Sequence, residues 1–256
     1  TSTPRTHVIK TGEDLGGIAY QYGVTVSAIM EANPEIDPYI LTVGTALVIP
    51  AAIEKVDKEN LPIPTPVAVQ MEQPYCARTE DGGAWCFLMV NNPLETAVEN
   101  VSVRLQITGG DQQFEQTAVT PLNLIPAGGA LPVGTFFAAP LPETFQAGAV
   151  LVAALPRAVD DQRYLPVEVQ DLQVTLHESG ESAAVKGKVV LTGGEAEGSQ
   201  VWVALAAFDR SGSVIGIRRW EGQGMLNSGV SLDFNQIIYS SGGAIDRVMA
   251  WAEARP

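Results

Sequence analysis

Residues 101–108 read VSVRLQIT, with Val101, Val103, Leu105 and Ile107 alternating against Ser102, Arg104, Gln106 and Thr108. A period of two belongs to a strand with one buried and one wet face; a helix, which repeats every 3.6 residues, cannot satisfy it. The pattern returns one hundred residues later, with Val201, Val203 and Leu205 in step with Val101, Val103 and Leu105, and Val190 with Val90. The loops before them, NNPLETAVEN and LTGGEAEGSQ, are equal in length. An internal repeat of this size predicts two copies of one β architecture.

Around these anchors the chain breaks into short β runs at 67–71, 75–78, 84–90, 101–108, 114–119, 131–137 and 149–155, then at 167–176, 183–191, 201–208, 214–220, 230–239 and 247–254. Turn clusters such as TGGDQQ and IPAGG part them. The expected architecture is two antiparallel β-sandwiches, over residues 67–157 and 158–256. Both are similar to the immunoglobulin-like or fibronectin-like accessory domains of secreted bacterial proteins. The Cys–Trp–Cys pattern of true immunoglobulin domains is absent, because Cys76 and Cys86 lie too close in sequence to bridge two sheets.

Those cysteines flank ARTEDGGAW, whose Glu80-Asp81-Gly82-Gly83 core is hairpin-turn chemistry. A turn centred on Asp81 sets the thiols directly across from each other, which is disulfide geometry if the register is right. Two buried free thiols are the alternative; a zinc site lacks ligand spacing. A stable disulfide implies an oxidising compartment, hence an extracellular or cell-surface protein. The sequence begins at Thr1 rather than Met, which fits removal of a signal peptide and equally a truncated expression product.

Charge narrows the partners. Fifteen Lys and Arg against 29 Asp and Glu leave a formal charge of -14, and the densest basic pair is Arg218-Arg219. Nucleic acid and anionic membrane surfaces are therefore not expected partners. No run approaches the roughly 18 apolar residues of a spanning helix, so no membrane insertion is expected.

Residues 51–66, AAIEKVDKENLPIPTP, form the expected linker. Pro62, Pro64 and Pro66 favour an extended polyproline-like strut of about 3.1 Å per residue.

Before it, residues 1–50 have a different period. A strand at 7–9 leads to Asp14, a good helix N-cap, and Leu15, Ile18, Ala19 and Tyr22 follow at i, i+3, i+4 and i+7, closed by Gly23. Thr25 caps a second helix in which Val26, Ile29 and Met30 share a face and Val24 staples onto Ile29. Asn33-Pro34 stops it, and 47–49 is a second strand ended by Pro50. The features Val8-Ile9-Lys10, Thr11-Gly12-Glu13-Asp14-Leu15, Ile18-Ala19, Tyr22-Gly23-Val24, Ala32-Asn33-Pro34, Ile36, Leu41, Val43-Gly44, Leu47 and Ile49-Pro50 resemble the LysM (lysin motif) family. The family commonly has Gly-Asp-Thr-Leu where this chain has Gly12-Glu13-Asp14-Leu15, and Ser or Trp where Gly16 and Gly17 stand.

The resemblance implies a β-α-α-β fold holding glycans that contain N-acetylglucosamine, such as peptidoglycan or chitin. Its groove maps to Gly12, Glu13, Asp14 and Leu15 facing Asn33, Pro34, Ile36, Tyr39, Ile40 and Leu41. An N-acetyl group needs backbone donors and acceptors and a small apolar pocket, which Leu15, Ile36 and Ile40 supply. Leu15 and Ile36 also read as plain core residues. Tyr39 either stacks on a sugar or covers the loop, and His7 reads as exposed or hydrogen-bonded.

No catalytic residue, metal site or cofactor is expected. His177 has no nucleophile elbow near it, and the Gly109-Gly110 and Gly193-Gly194 turns lack the helix and Lys-Ser/Thr pair of a phosphate loop. Asp160, Asp161, Glu195 and Glu197 lie at a junction and in a loop, without the cleft that acid–base work requires. Asp209-Arg210-Ser211-Gly212 reads as a hairpin turn. Trp202 and Trp220 read either as sheet cover or as exposed sugar platforms.

The expected whole is a multidomain, mainly β chain: a small α+β LysM domain followed by two Ig-like sandwiches. Its expected role is a non-catalytic envelope protein binding N-acetylglucosamine-containing polysaccharide, with the sandwiches as spacer or interaction domains. The alternative is a structural subunit of a surface filament, sheath or layer, in which the LysM domain and the sandwiches contact further copies of the chain.

Overall fold

The structure, a computed structural model, describes residues 5–9, 15–22, 24, 26–33, 36, 44–50, 67–158, 161–193, 197–222 and 224–256. The linker at 51–66 and the caps Asp14, Gly23 and Thr25 lie outside them. The chain divides into two compact units, Thr1–Thr65 and Pro66–Pro256.

In the first unit, β1 (Arg5–Val8) and β2 (Ala46–Ile49) pair antiparallel, with His7 opposite Leu47, and α1 (Leu15–Tyr22) and α2 (Val26–Ala32) come between them in the chain. The ladder runs on past the strand ends, since Ile9 N–H donates to Thr45 O at 3.0 Å and Gly44 N–H to Ile9 O at 2.8 Å. Gly44 has φ +90°, which a side-chain-bearing residue adopts only under strain. The expected stripe meets the core: Leu15, Ile18, Ala19 and Tyr22 pack with Ile9, Ile29, Leu47 and Ile49. Met30 does not share it. It is 39% exposed, because adjacent helical residues point about 100° apart and so short a helix buries one narrow face.

In the second unit, one sheet joins β3 (Gln70–Met71) and β4 (Tyr75–Arg78) to the same side of β5 (Ala84–Asn91), with β9 (Ala130–Phe137) on the other. Facing it, β10 (Gln146–Pro156), β6 (Val98–Gly109) and β7 (Gln112–Val119) lie in that order, with β8 (Leu124–Ile125) also on β6. The next sheet runs β11 (Val167–Leu176), β12 (Ser182–Leu191), β15 (Leu232–Tyr239), and the last β14 (Val214–Gly222), β13 (Gln200–Phe208), β16 (Arg247–Arg255). Each half therefore has one topology, with β11 standing where β3 and β4 stand and β16-β13-β14 where β10-β6-β7 stand.

Register refines the repeat. Leu105 pairs with Ala149, and Leu205 with Ala250, at the expected spacing. Val90, however, pairs with Leu131 as Val189 pairs with Leu232, so Val90 matches Val189 rather than Val190. A one-residue slip turns every side chain to the other face, and Val189 is the buried one. The same step matches the Cys76–Cys86 pair with Val174–Val185.

Three apolar cores hold this unit. One lies between the first two sheets around Leu88, Val103, Leu105 and Val133, and one between the last two around Val185, Val203, Leu205 and Ile238. A third joins the halves, where Phe87 and Met89 on the outer face of β5 meet Ala206, Phe208 and Val214. Burying such side chains contributes about 1.5–3 kcal/mol each, which makes one compact body of two sandwiches. A polar junction adds to it: Glu99 on β6 and Glu253 on β16 are both buried, and Glu253 Oε2 accepts from Asn123 N–H at 2.7 Å and Leu124 N–H at 2.9 Å across the boundary.

Candidate functional site

Of the ten residues mapped to the groove, three are described: Leu15, Asn33 and Ile36. Gly12, Glu13, Asp14, Pro34, Tyr39, Ile40 and Leu41 lie outside the described residues. Leu15 opens α1 and is buried in the core of the first unit, against which Ile36 packs half-buried. Leu15 and Ile36 thus bring the start of α1 and the position three residues past Asn33 to one apolar centre.

Asn33 fixes that arrangement from the end of α2. Its Nδ2 donates to Ile29 O and to Val48 O, each at 2.7 Å, and its Oδ1 accepts from Val48 N–H at 2.8 Å. The carboxamide thus pairs both backbone groups of Val48 as a neighbouring strand would, on a sheet that has two strands among the described residues. Its own N–H donates to Met30 O, and its carbonyl accepts from Ile36 N–H, both at 3.1 Å, which turns the chain back after the helix. The side chain is buried, and its polar atoms are engaged within the fold. What Asn33 contributes here is the tie between the end of α2 and β2.

His7 is buried, with Nδ1 3.0 Å from Tyr22 Oη and the two rings edge to face at 5.4 Å. Of the two readings of His7, the hydrogen-bonded one is what the structure has. Sequence patterning had no signal for this partner, which lies fifteen residues on.

In the second unit Cys76 and Cys86 stand opposite each other and are joined in a disulfide. The turn is centred on Asp81 as expected: Asp81 Oδ1 accepts from Thr79 Oγ1 and from Gly83 N–H at 3.2 Å, and Gly82 takes φ +84°. The Thr79 hydroxyl, more than the Gly83 amide, holds the Asp81 carboxyl below its ordinary pKa. Asp209 is built likewise, its Oδ1 accepting from Ser211 N–H and Ser213 N–H at 2.9 Å each. Both acids organise turns.

The tryptophans resolve as sheet cover. Trp202 packs on the first core, its Nε1 donating to Glu221 Oε1 at 3.0 Å, and Trp220 leans on Phe234 at 5.8 Å. Trp85, which sequence reading passed over, is the exposed one. His177 lines an open depression of about 560 Å3 with Ser179 and Glu181. Among the described residues no three His, Cys, Asp or Glu gather as metal ligands, and no helix is long and apolar enough to cross a membrane.

Comparison with known proteins bears on the first unit. Over 73 residues, 28% of this chain and 24% of the relative, the sequence is 38% identical to N-acetylmuramoyl-L-alanine amidase XlyA of Bacillus subtilis (strain 168). The chain thus covers about a quarter of that relative's length. Residues 7–50 match the LysM domain family, and the paired strands, two helices and shared core described above are that segment's fold. Residues 7–50 of this chain are a LysM domain.

Proposed function

We propose that the chain is a non-catalytic envelope protein whose LysM domain binds polysaccharide containing N-acetylglucosamine, of the peptidoglycan or chitin class. The observation that carries this is the LysM match over residues 7–50, with the groove's flanking segments tied to one core through Leu15, Asn33 and Ile36. Such a ligand is neutral, so the charge of -14 does not oppose it. The groove residues Gly12, Glu13, Asp14, Pro34, Tyr39, Ile40 and Leu41 belong to the proposal. The amidase relative is named for cleaving an N-acetylmuramoyl amide, which fits a wall-glycan setting. The Cys76–Cys86 bond fits an exported protein. The two sandwiches then serve as spacer and interaction modules.

Titration with N-acetylglucosamine oligomers tests the reading. Binding in the millimolar to micromolar range is expected for a single shallow groove, weakened by Asp14→Lys or Ile36→Asp. No detectable heat or shift with the fold intact refutes it.

One observation supports the reading of the chain as a polymer subunit. Edge strand β11 leaves Leu172, Val174 and Leu176 exposed, and an apolar edge invites pairing with another copy. Regular polymers in electron micrographs are the expected result; a monomer at high concentration excludes it.

A further inference from the structure

A groove of about 370 Å3 opens along the seam between the two sandwiches, within the 300–1,000 Å3 range of small-ligand sites. Trp85 on β5 and Tyr239 on β15 line it, 37% and 63% exposed. The Trp85 ring lies parallel to Phe87, at 2° and 5.8 Å between centroids, and Phe136 braces it at 5.4 Å. Phe87 is buried and Phe136 half-buried, so the indole rests on a ring that cannot itself move freely. The result is a flat apolar plate fixed in one orientation.

Glycines build both walls. A Cβ on Gly134 would stand 2.3 Å from the Phe87 ring, and a Cβ on Gly216 would stand 2.1 Å from the Tyr239 carbonyl. The first bare position lets the aromatic row lie flat on β9, and the second lets the end of β15 close onto β14. Ser241 N–H then donates to Ile215 O at 2.7 Å, which fixes the backbone beside Tyr239.

Arg218 on β14 lines the same groove and is exposed. Of the nine arginines beyond residue 66, it is the one with no carboxylate, carbonyl or ring partner among the described residues. Among the described residues no Asp or Glu lines the groove, although Asp and Glu outnumber Lys and Arg 29 to 15 in the chain. An indole plate beside an unpaired guanidinium suits a ligand with one apolar ring face and one anionic group.

We propose that this groove is a second saccharide site, taking a pyranose that bears a carboxylate, with the ring's C–H face on Trp85 and the carboxylate on Arg218. The choice of a saccharide rests on the glycan reading of the LysM domain. Holding two points of one polymer raises its affinity for the full chain by avidity.

The test uses the full chain and its own tryptophans. Trp85, Trp202, Trp220 and Trp251 all lie beyond the LysM domain, so their fluorescence reports on the sandwiches alone. The probes are N-acetylglucosaminyl-N-acetylmuramic acid and diacetylchitobiose, which have the same length and differ in the lactyl carboxylate. Expected is saturable protection from acrylamide quenching by the acidic disaccharide at millimolar concentration, with diacetylchitobiose about tenfold weaker. Arg218→Ala abolishes that preference, Trp85→Phe removes the protection, and Ile36→Asp leaves it unchanged. The proposal is overturned if the acidic disaccharide gives no protection, if both sugars protect equally, or if Arg218→Ala keeps the preference. If Trp85→Phe fails to fold, Arg218→Ala, at an exposed and unpartnered side chain, still decides. Calorimetry with chitin oligomers on the parent and Ile36→Asp chains reports the LysM groove separately, so either site can fail alone.

Discussion

The Tyr164 hydroxyl donates to Glu99 Oε2 at 2.7 Å, and both side chains are buried where the two sandwiches meet. The same phenol accepts from Asn123 Nδ2, while Arg163 Nη2 donates to both Glu99 oxygens at 2.8 and 2.9 Å. The guanidinium groups of Arg157, Arg163 and Arg255 lie 4.9–5.6 Å from the Tyr164 ring centre. Buried carboxylates are tolerable only when neutralised and hydrogen-bonded, and Glu99 is both.

Tyr164→Phe removes a donor from Glu99 and an acceptor from Asn123, at a cost of about 1–3 kcal/mol. Burial first, and then the bond to Glu99, pushes the Tyr164 pKa up to about 12. A raised folded pKa means that this group's stabilisation is complete below its ordinary value, about 10, and is lost as pH rises through about 12. Urea midpoints from pH 8 to 12 are expected to fall more steeply for the parent than for Tyr164→Phe. Parallel curves refute this.

Asp161 works in the opposite pH direction. The hydrogen bond from Arg163, at 2.6 Å to Oδ2, is the largest cause holding its carboxyl below the ordinary range. A depressed pKa contributes stability above the unfolded value, about 3.9, which is lost as pH falls below it. Asp161→Asn is expected to flatten the acid limb of the sandwich transition below about pH 4 while leaving the alkaline limb in place. An unchanged acid limb contradicts it.

The disulfide has a control built into the repeat. Val174 and Val185 occupy in the second sandwich the paired positions that Cys76 and Cys86 hold in the first. The double variant Cys76→Val, Cys86→Val is therefore expected to pack without a void and to lose only the cross-link, about 2–3 kcal/mol for so short a loop. Denaturant midpoints of the parent with and without reductant, against the double variant, measure it. A loss well above this range shows that the valines do not fit.

Gly44 and Gly216 predict unequal losses. Gly44 has φ +90° but, among the described residues, nothing within 4 Å of an added Cβ, so Gly44→Ala costs about 1 kcal/mol, through conformation. Gly216→Ala drives a Cβ into the Tyr239 backbone, which cannot rotate away, and costs about 3 kcal/mol. The first should move the LysM transition and the second the sandwich transition. The reverse order, or equal effects, contradicts both assignments.

How much of this could be read beforehand follows from range. Strands such as β6 and β13 were legible because alternation is local, and the Asp81 turn fixed the cysteine register for the same reason. The two-residue β8 was missed because it is too short to have a period. The Val90 to Val190 match slipped by one because equal loop lengths do not fix register; the burial of Val189 does. The third core and the Glu99 junction had no local signal at all. Phe87 and Met89 look like ordinary strand residues until β13 covers them, and Tyr164 meets Glu99 from 65 residues away. At the LysM domain the family pattern placed Asn33 beside the groove, while its bonds to Val48 became visible only with β2 in place.

Those bonds make Asn33 a sensitive position of the LysM domain. Asn33→Ala leaves Val48 N–H, Val48 O and Ile29 O without this partner, at about 1–3 kcal/mol for each group kept from water. A single core in so small a domain rarely supplies more than about 3–5 kcal/mol, so the substitution is expected to unfold the LysM domain at ambient temperature. Asn33→Asp keeps the acceptor for Val48 N–H but sets a buried carboxylate oxygen against the Ile29 and Val48 carbonyls, so it is expected to be no more stable than alanine. Because all four tryptophans lie beyond residue 66, their fluorescence should keep its sandwich transition in every variant, while N-acetylglucosamine oligomer binding disappears with the LysM fold. An alanine variant that still shows the parent's LysM transition refutes the role of the Asn33 carboxamide in holding this domain together.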